Sequence, residues 1–171
     1  MSKYIVTGGA GFIGSNLVDY LINDGHEVVV IDNLSSGKKE NINAKARFVN
    51  INLAITKYDV RNHGSPSILV KEFEGAKAVF HLAALARVQP SIDNPLEFNK
   101  ANVDGTLNVL LAAKEAGVKR VVYSASSSAY GDATIFPTPE SHPLNPLSPY
   151  GLQKLIGEQY CKVFSICYGV E

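Results

Sequence analysis

The sequence predicts an α/β protein, a doubly wound parallel sheet with helices on both faces. Three observations carry this. Short apolar stretches recur at residues 4–6, 27–31, 78–81 and 120–124, rich in the β-branched and aromatic residues that strands prefer. Between them run stretches of helical period, as where Ile13, Leu17 and Leu21 fall on one face. Gly25, Gly75, Gly117 and Gly169 each close one of these stretches, as glycine does at helix C-termini. Strands alternating with helices give parallel pairing, with the crossovers lying on either face.

The first strand, residues 3–7, runs into Thr7-Gly8-Gly9-Ala10-Gly11-Phe12-Ile13-Gly14, and a helix leaves it over residues 12–24. Gly9, Gly11 and Gly14 fit G-x-G-x-x-G; Gly8, Gly11 and Gly14 fit the wider G-x-x-G-x-x-G. Strand, glycines and helix together make this a dinucleotide-binding pattern. The glycines let the main chain approach a pyrophosphate, and the helix N-terminus turns free N–H groups toward it. The second strand ends at Asp32. A carboxylate there accepts the hydroxyls of an adenosine ribose and repels a 2′-phosphate, which favours NAD over NADP.

Asn33 to Gly37 and the polar stretch to Ala44 form a loop or short helix. Two stretches compete for the third strand, Arg47-Phe48-Val49-Asn50-Ile51 and Ala54-Ile55-Thr56-Lys57-Tyr58. The second is preferred, because it brings Asp59 and Val60 to the carboxyl edge of the sheet. A helix follows over 66–74, then a fourth strand, 78–81, breaking into the small-residue turn Ala83-Ala84-Leu85-Ala86. Pro90 and Pro95 mark a loop. A long helix runs over 96–116, the fifth strand covers 120–124, and residues 126–149, with five prolines, are loop. A last helix runs from near Ser148 to Gly169. One domain spans 1–171, without repeats or a linker.

Bulk properties narrow the function. Hydrophobic residues make up 46% and charged residues 19% of the 171-residue chain, as in ordinary globular proteins. The formal net charge is zero, which gives no electrostatic case for nucleic acid or an anionic membrane. No apolar run reaches the length of a membrane span, and the chain enters its first strand without a signal peptide. Cys161 and Cys167 read as reduced thiols of a cytoplasmic protein. His26, His63, His81 and His142 lack ligand spacing, so no metal site is expected.

Three features carry chemistry. In Tyr150-Gly151-Leu152-Gln153-Lys154 the tyrosine and lysine share a helix face. A nearby ammonium stabilises the phenolate, fitting Tyr150 to act as a base at neutral pH. The serines Ser124, Ser126, Ser127 and Ser128 follow the fifth strand, where open α/β sheets place their sites. The small residues after His81 let the fourth strand's backbone approach a cofactor.

With these residues in view, the chain resembles the extended short-chain dehydrogenase/reductases, and among them the NAD-dependent nucleotide-sugar epimerases of the UDP-glucose 4-epimerase kind. The matching stretches are 7–14, 32–37, Asp59-Val60-Arg61, 81–84, Asn102-Val103-Asp104-Gly105-Thr106, 124–131, and Ser148-Pro149-Tyr150 with Lys154. The resemblance implies a Rossmann-type fold and NAD as cofactor. It implies that Gly8, Gly11, Phe12, Ile13 and Gly14 hold the pyrophosphate, Asp32 and Asn33 the ribose, and Asp59 and Val60 the adenine. Leu82 and Ala83 would line the path to the nicotinamide, with Asn102 a structural or cofactor-side contact. Tyr150 would be the base, Lys154 would hold the nicotinamide ribose and tune Tyr150, and Ser126 would assist at the substrate hydroxyl. Oxidation of the sugar at C4, turnover of the 4-keto sugar and return of hydride would regenerate NAD.

Family members continue beyond position 171 with further strands and the region that binds the nucleotide sugar. The chain therefore reads as the cofactor half, lacking the C-terminal substrate region. The outer edge of the fifth strand is expected to be exposed, and either covered by another chain or prone to aggregation. A homodimer through the helices near 96–116 and 149–168 is also implied. A nucleotide-sugar dehydratase is the nearest rival, although Ser127 and Ser128 stand where dehydratases carry an Asp-Glu pair. A reductase, or an NAD-binding module without turnover, are the remaining alternatives.

Overall fold

The computed structural model describes residues 1–54 and 68–171. Five parallel strands, β1 (Lys3–Thr7), β2 (Glu27–Asp32), β3 (Arg47–Asn50), β4 (Ala76–His81) and β5 (Val121–Tyr123), form one sheet in the order β3-β2-β1-β4-β5. The chain winds outward from β1 through β2 to β3, then returns past β1 to β4 and β5. The reversal falls between β1 and β4, which makes their carboxyl ends the expected place for a ligand. Gly8 follows β1 there, and His81 ends β4, paired in register with Thr7.

One face of the sheet packs Ile5, Val29, Ile31 and Val79 against α2 (Ile68–Phe73) and α5 (Gly105–Glu115), through Phe73, Leu69 and Val109. The other packs Val6, Val28 and Val30 against Val18 and Leu21 of α1 (Phe12–Asn23). Strand residues apolar on both sides are what a sheet covered by helices on both faces requires.

Three elements differ from expectation. The strand beside β2 is Arg47–Asn50, with Val29 facing Arg47 and Asp32 facing Asn50. This is the stretch ranked second from the sequence; of the preferred one, only Ala54 lies within the described residues. The segment around Pro90 is helical, α3 (Val88–Asp93). Pro90 sits in its first turn, where a missing N–H costs no hydrogen bond. The long helix is a continuous run of α4 (Pro95–Asn99), a π-helical segment (Lys100–Asp104) and α5. The last helix, α6 (Pro149–Tyr168), starts on Ser148, whose hydroxyl accepts from Gly151 N–H at 3.1 Å, and ends on Gly169 in the left-handed conformation.

Val122 is 45% exposed on the outer edge of β5. The start of that edge is bonded rather than open. Glu171 N–H donates to Lys119 O at 2.8 Å, and Val121 N–H donates to Glu171 O at 2.7 Å. The side chains of Arg120 and Glu171 pair alongside.

Candidate active site

The glycine turn is shaped by close approach. Gly8 has φ +72°, and a Cβ on it would stand 2.6 Å from the Ala83 nitrogen. Only glycine combines that backbone conformation with that contact. A Cβ on Gly14 would collide with the Gly8 carbonyl oxygen, so its absence lets α1 start directly beneath the turn. Gly11 N–H donates to Gly8 O at 3.1 Å and closes the loop. Among the described residues no side chain caps α1, and its first turn holds no acidic residue. The free amides and the positive end of the helix dipole are therefore left for an anion.

Asp32 fixes the neighbouring wall. One carboxylate oxygen accepts from Ala10 N–H at 3.0 Å, the other from Leu34 N–H at 2.8 Å. Leu34 takes φ +58° to make the second bond. The carboxylate is 9% exposed, and it keeps lone pairs for hydroxyl donors from the cavity.

A cavity of about 490 Å³ runs along the carboxyl edge of the sheet. It passes from Ser35 and Ser36 over Asp32 and the glycine turn, along Leu82 to Leu85, and ends at Ser124 beyond β5. Gly8, Gly11, Phe12, Ile13, Gly14, Asp32, Asn33, Leu82 and Ala83 all line it. The residues just past β3, Ile51 to Ala54, form part of the wall, as do Glu97, Lys100 and Ala101 from the α4 run. The sequence did not single these out. Asp59 and Val60 lie outside the described residues.

Behind this wall lies a buried polar chain. Thr106 Oγ1 donates to Asn102 O at 2.6 Å, so it accepts from His81 Nε2–H at 3.0 Å. His81 Nδ1 then accepts from the Thr7 hydroxyl at 2.7 Å. The imidazole is held neutral: burial, and secondly the charge of Lys154, lower its pKa to about 3. Asn102 is a clamp, not a cavity-lining group. Its carbonyl accepts from Leu85 N–H at 2.8 Å, and its amide donates to Leu85 O and to Gln153 Oε1, both at 3.0 Å.

Ser124 lines the cavity, but Ser126, Tyr150 and Lys154 are not among the lining residues. Gly151 lets α6 press against the Ser127–Ala129 turn, since a Cβ there would stand 2.5 Å from Ser128 O. That contact brings the serine turn and the first turn of α6 together. Ser126 Oγ accepts from Ser128 N–H at 3.2 Å. Tyr150 N–H donates to the buried Ser91 hydroxyl at 3.1 Å, and that hydroxyl donates to Val88 O at 2.6 Å. Ser91 thus ties α3 to the start of α6, a role with no signature in the sequence. Lys154 is buried, and its pKa falls to about 8, chiefly by loss of hydration. Its ammonium lies 4.5 Å from the centroid of the Tyr123 ring. Among the described residues, no hydrogen bond joins it to the Tyr150 hydroxyl. No group of three His, Cys, Asp or Glu among them is arranged to hold a metal.

This geometry has close counterparts. Residues 4–171 match the model of the NAD dependent epimerase/dehydratase family. A putative UDP-glucose 4-epimerase of Methanocaldococcus jannaschii is 41% identical over 98% of the chain and 52% of its own length. The crystal structure of UDP-glucose 4-epimerase with UDP-glucose from Thermotoga maritima superposes with TM-score 0.89 at 40% identity, over 98% of this chain and 52% of that one. The UDP-glucose 4-epimerase of Brucella ovis in complex with NAD gives TM-score 0.89 at 33% identity, over 100% and 50%. The chain spans about half the length of the curated relatives it matches. Sheet order, glycine turn and a match over nearly every residue place the chain in the NAD-dependent epimerase/dehydratase family.

Proposed function

We propose that this chain is the NAD-binding portion of a nucleotide-sugar 4-epimerase that interconverts UDP-glucose and UDP-galactose. The observation that carries the reading is the cavity bounded by the uncapped N-terminus of α1 and the doubly anchored Asp32 carboxylate. An anionic pyrophosphate suits the first and a ribose diol the second. Gly8, Gly11, Phe12, Ile13 and Gly14 hold the pyrophosphate, and Asp32 and Asn33 the adenosine ribose. Asp59 and Val60 contact the adenine. Leu82 and Ala83 guide the nicotinamide half toward Ser124, and Asn102 supports that strap from behind through Leu85.

When bound, NAD supplies the acceptor and donor of hydride. Tyr150 takes the proton of the sugar hydroxyl, and Ser126 hydrogen-bonds the same oxygen. Lys154, one helical turn on, lowers the cost of the tyrosinate and holds the nicotinamide ribose. Ser91 fixes the backbone from which Tyr150 projects. The UDP-hexose partner, a homodimer through the long helices, and a cytoplasmic role in carbohydrate metabolism follow from the same reading.

Two measurements test the reading, one on this chain and one on the chain joined to its substrate-binding region. Calorimetry is expected to show NAD binding, with NADP bound more weakly. Conversion of UDP-galactose to UDP-glucose is expected once the substrate-binding region is supplied. A chain that binds no NAD refutes the proposal. Binding without conversion by the longer protein favours a second reading, an NAD-binding module without turnover.

A further inference from the structure

Lys154 is 3% exposed and makes no ion pair among the described residues. A buried cation with no contact ion pair, supported chiefly by the charge of Glu158 one turn on, needs a further source of stabilisation. The titratable groups around it are Glu158 and Cys161 on its own helix, Tyr123 from β5 and His81 from β4, with Tyr150 near Tyr123. Of these, the Tyr123 ring lies against the ammonium, 4.5 Å from Nζ to the ring centroid. An aromatic face at that distance attracts a cation, and more strongly where water is excluded.

The surroundings hold the ring at this post. Gly157, one turn beyond Lys154 on α6, leaves the space the ring fills; a Cβ there would collide with the Tyr123 hydroxyl and ring. The hydroxyl points back to the Lys154 carbonyl at 3.5 Å. The His81 ring lies 5.6 Å away, tilted by 37°, and being neutral it does not repel the ammonium. Tyr123 directly precedes Ser124, which lines the cavity.

We propose that Tyr123 is a positioning residue whose ring face seats the Lys154 ammonium, keeping it charged and aimed toward the Ser124 end of the cavity. This rests on the reading above, in which Lys154 holds the nicotinamide ribose. Burial drives Lys154 toward its neutral form, with its pKa at about 8, against the charges of Glu158 and Cys161; the ring face at 4.5 Å adds its own attraction for the charged form.

The test is an NMR titration of the chain carrying lysine labelled with carbon-13 at Cε, alongside NAD calorimetry. Tyr123→Phe keeps the ring face and is expected to titrate and to bind NAD as the unaltered chain does. Tyr123→Leu keeps apolar bulk without the face. Its Lys154 midpoint is expected to fall by about half a pH unit or more, and its NAD affinity by about 3- to 30-fold. Should the leucine variant not fold, Tyr123→Met is read in its place. A leucine or methionine variant with an unmoved midpoint overturns the seat and leaves the cofactor role of Lys154 standing. Unchanged NAD affinity in Lys154→Met overturns that role, and the proposal with it.

Discussion

Asp32 commits both carboxylate oxygens to backbone amides, Ala10 on one side and Leu34 on the other. The side chain that faces the cavity therefore also staples the glycine turn to the loop after β2. Asp32→Asn keeps the shape but turns an N–H₂ group toward one of those amides, and a buried donor facing a donor costs about 1–3 kcal/mol. Urea denaturation is expected to show a loss of that size; an unchanged midpoint would mean the two bonds do not hold the loop. Asp32 was legible from the sequence because its place at a strand end after a glycine turn is a local pattern. Lys154 was legible only in part. Its spacing put it one turn from Tyr150, but a spacing on one helix says nothing of an aromatic ring arriving from β5, so its rest on Tyr123 was invisible.

Asn102 acts at the level of whole elements. It sits in the π-helical segment between α4 and α5, and its amide joins the strap after β4 to Gln153 on α6. Three partners, two part-buried on Leu85 and one buried on Gln153, depend on one side chain. Asn102→Ala is expected to lose about 2–4 kcal/mol in thermal or urea unfolding, since Leu85 and Gln153 keep polar atoms without partners. Asn102→Asp should recover little, because a carboxylate accepts from Leu85 N–H but opposes the Leu85 and Gln153 oxygens. Full recovery in the aspartate variant would show that the amide donors are not what matters. Elements were legible in proportion to how much apolar surface they bury. Strands β1, β2 and β4 are apolar on both faces, and their stretches stood out. Strand β3 pairs on one side only, and its Arg47 and Asn50 are exposed. Its short apolar signal competes with that of the neighbouring stretch 54–58, which leads directly to Asp59. Pro90 misled because proline ends helices as a rule, and only the register of α3 reveals that it occupies a first turn.

At the scale of the molecule, the reversal of winding between β1 and β4 brings the glycine turn and His81 to one edge. The imidazole then lies in the middle of the protein, bonded to Thr7 on one strand and to Thr106 on the helix run. This makes the stability of the whole fold depend on acid. His81 titrates at about 3 in the folded chain against 6.5 when unfolded, so between these values the unfolded chain binds the extra proton. Stability from this group is complete above pH 6.5 and is lost as pH falls toward 3. At pH 5 the loss is about 2 kcal/mol, from roughly 1.4 kcal/mol per pH unit below 6.5. Lys154 has the same sign at the alkaline end, gaining stability as pH rises from 8 to 10.5. Tyr123, its pKa raised chiefly by burial, takes stability away as pH climbs past the ordinary tyrosine value of 10. Urea midpoints measured from pH 7.5 to pH 5 are expected to fall for the unaltered chain. In His81→Asn they should fall less by the equivalent of about 2 kcal/mol, whatever its stability at pH 7.5. Parallel curves for the two proteins would mean that His81 carries its proton equally well folded and unfolded, and that the Thr7–His81–Thr106 chain does not hold a neutral ring.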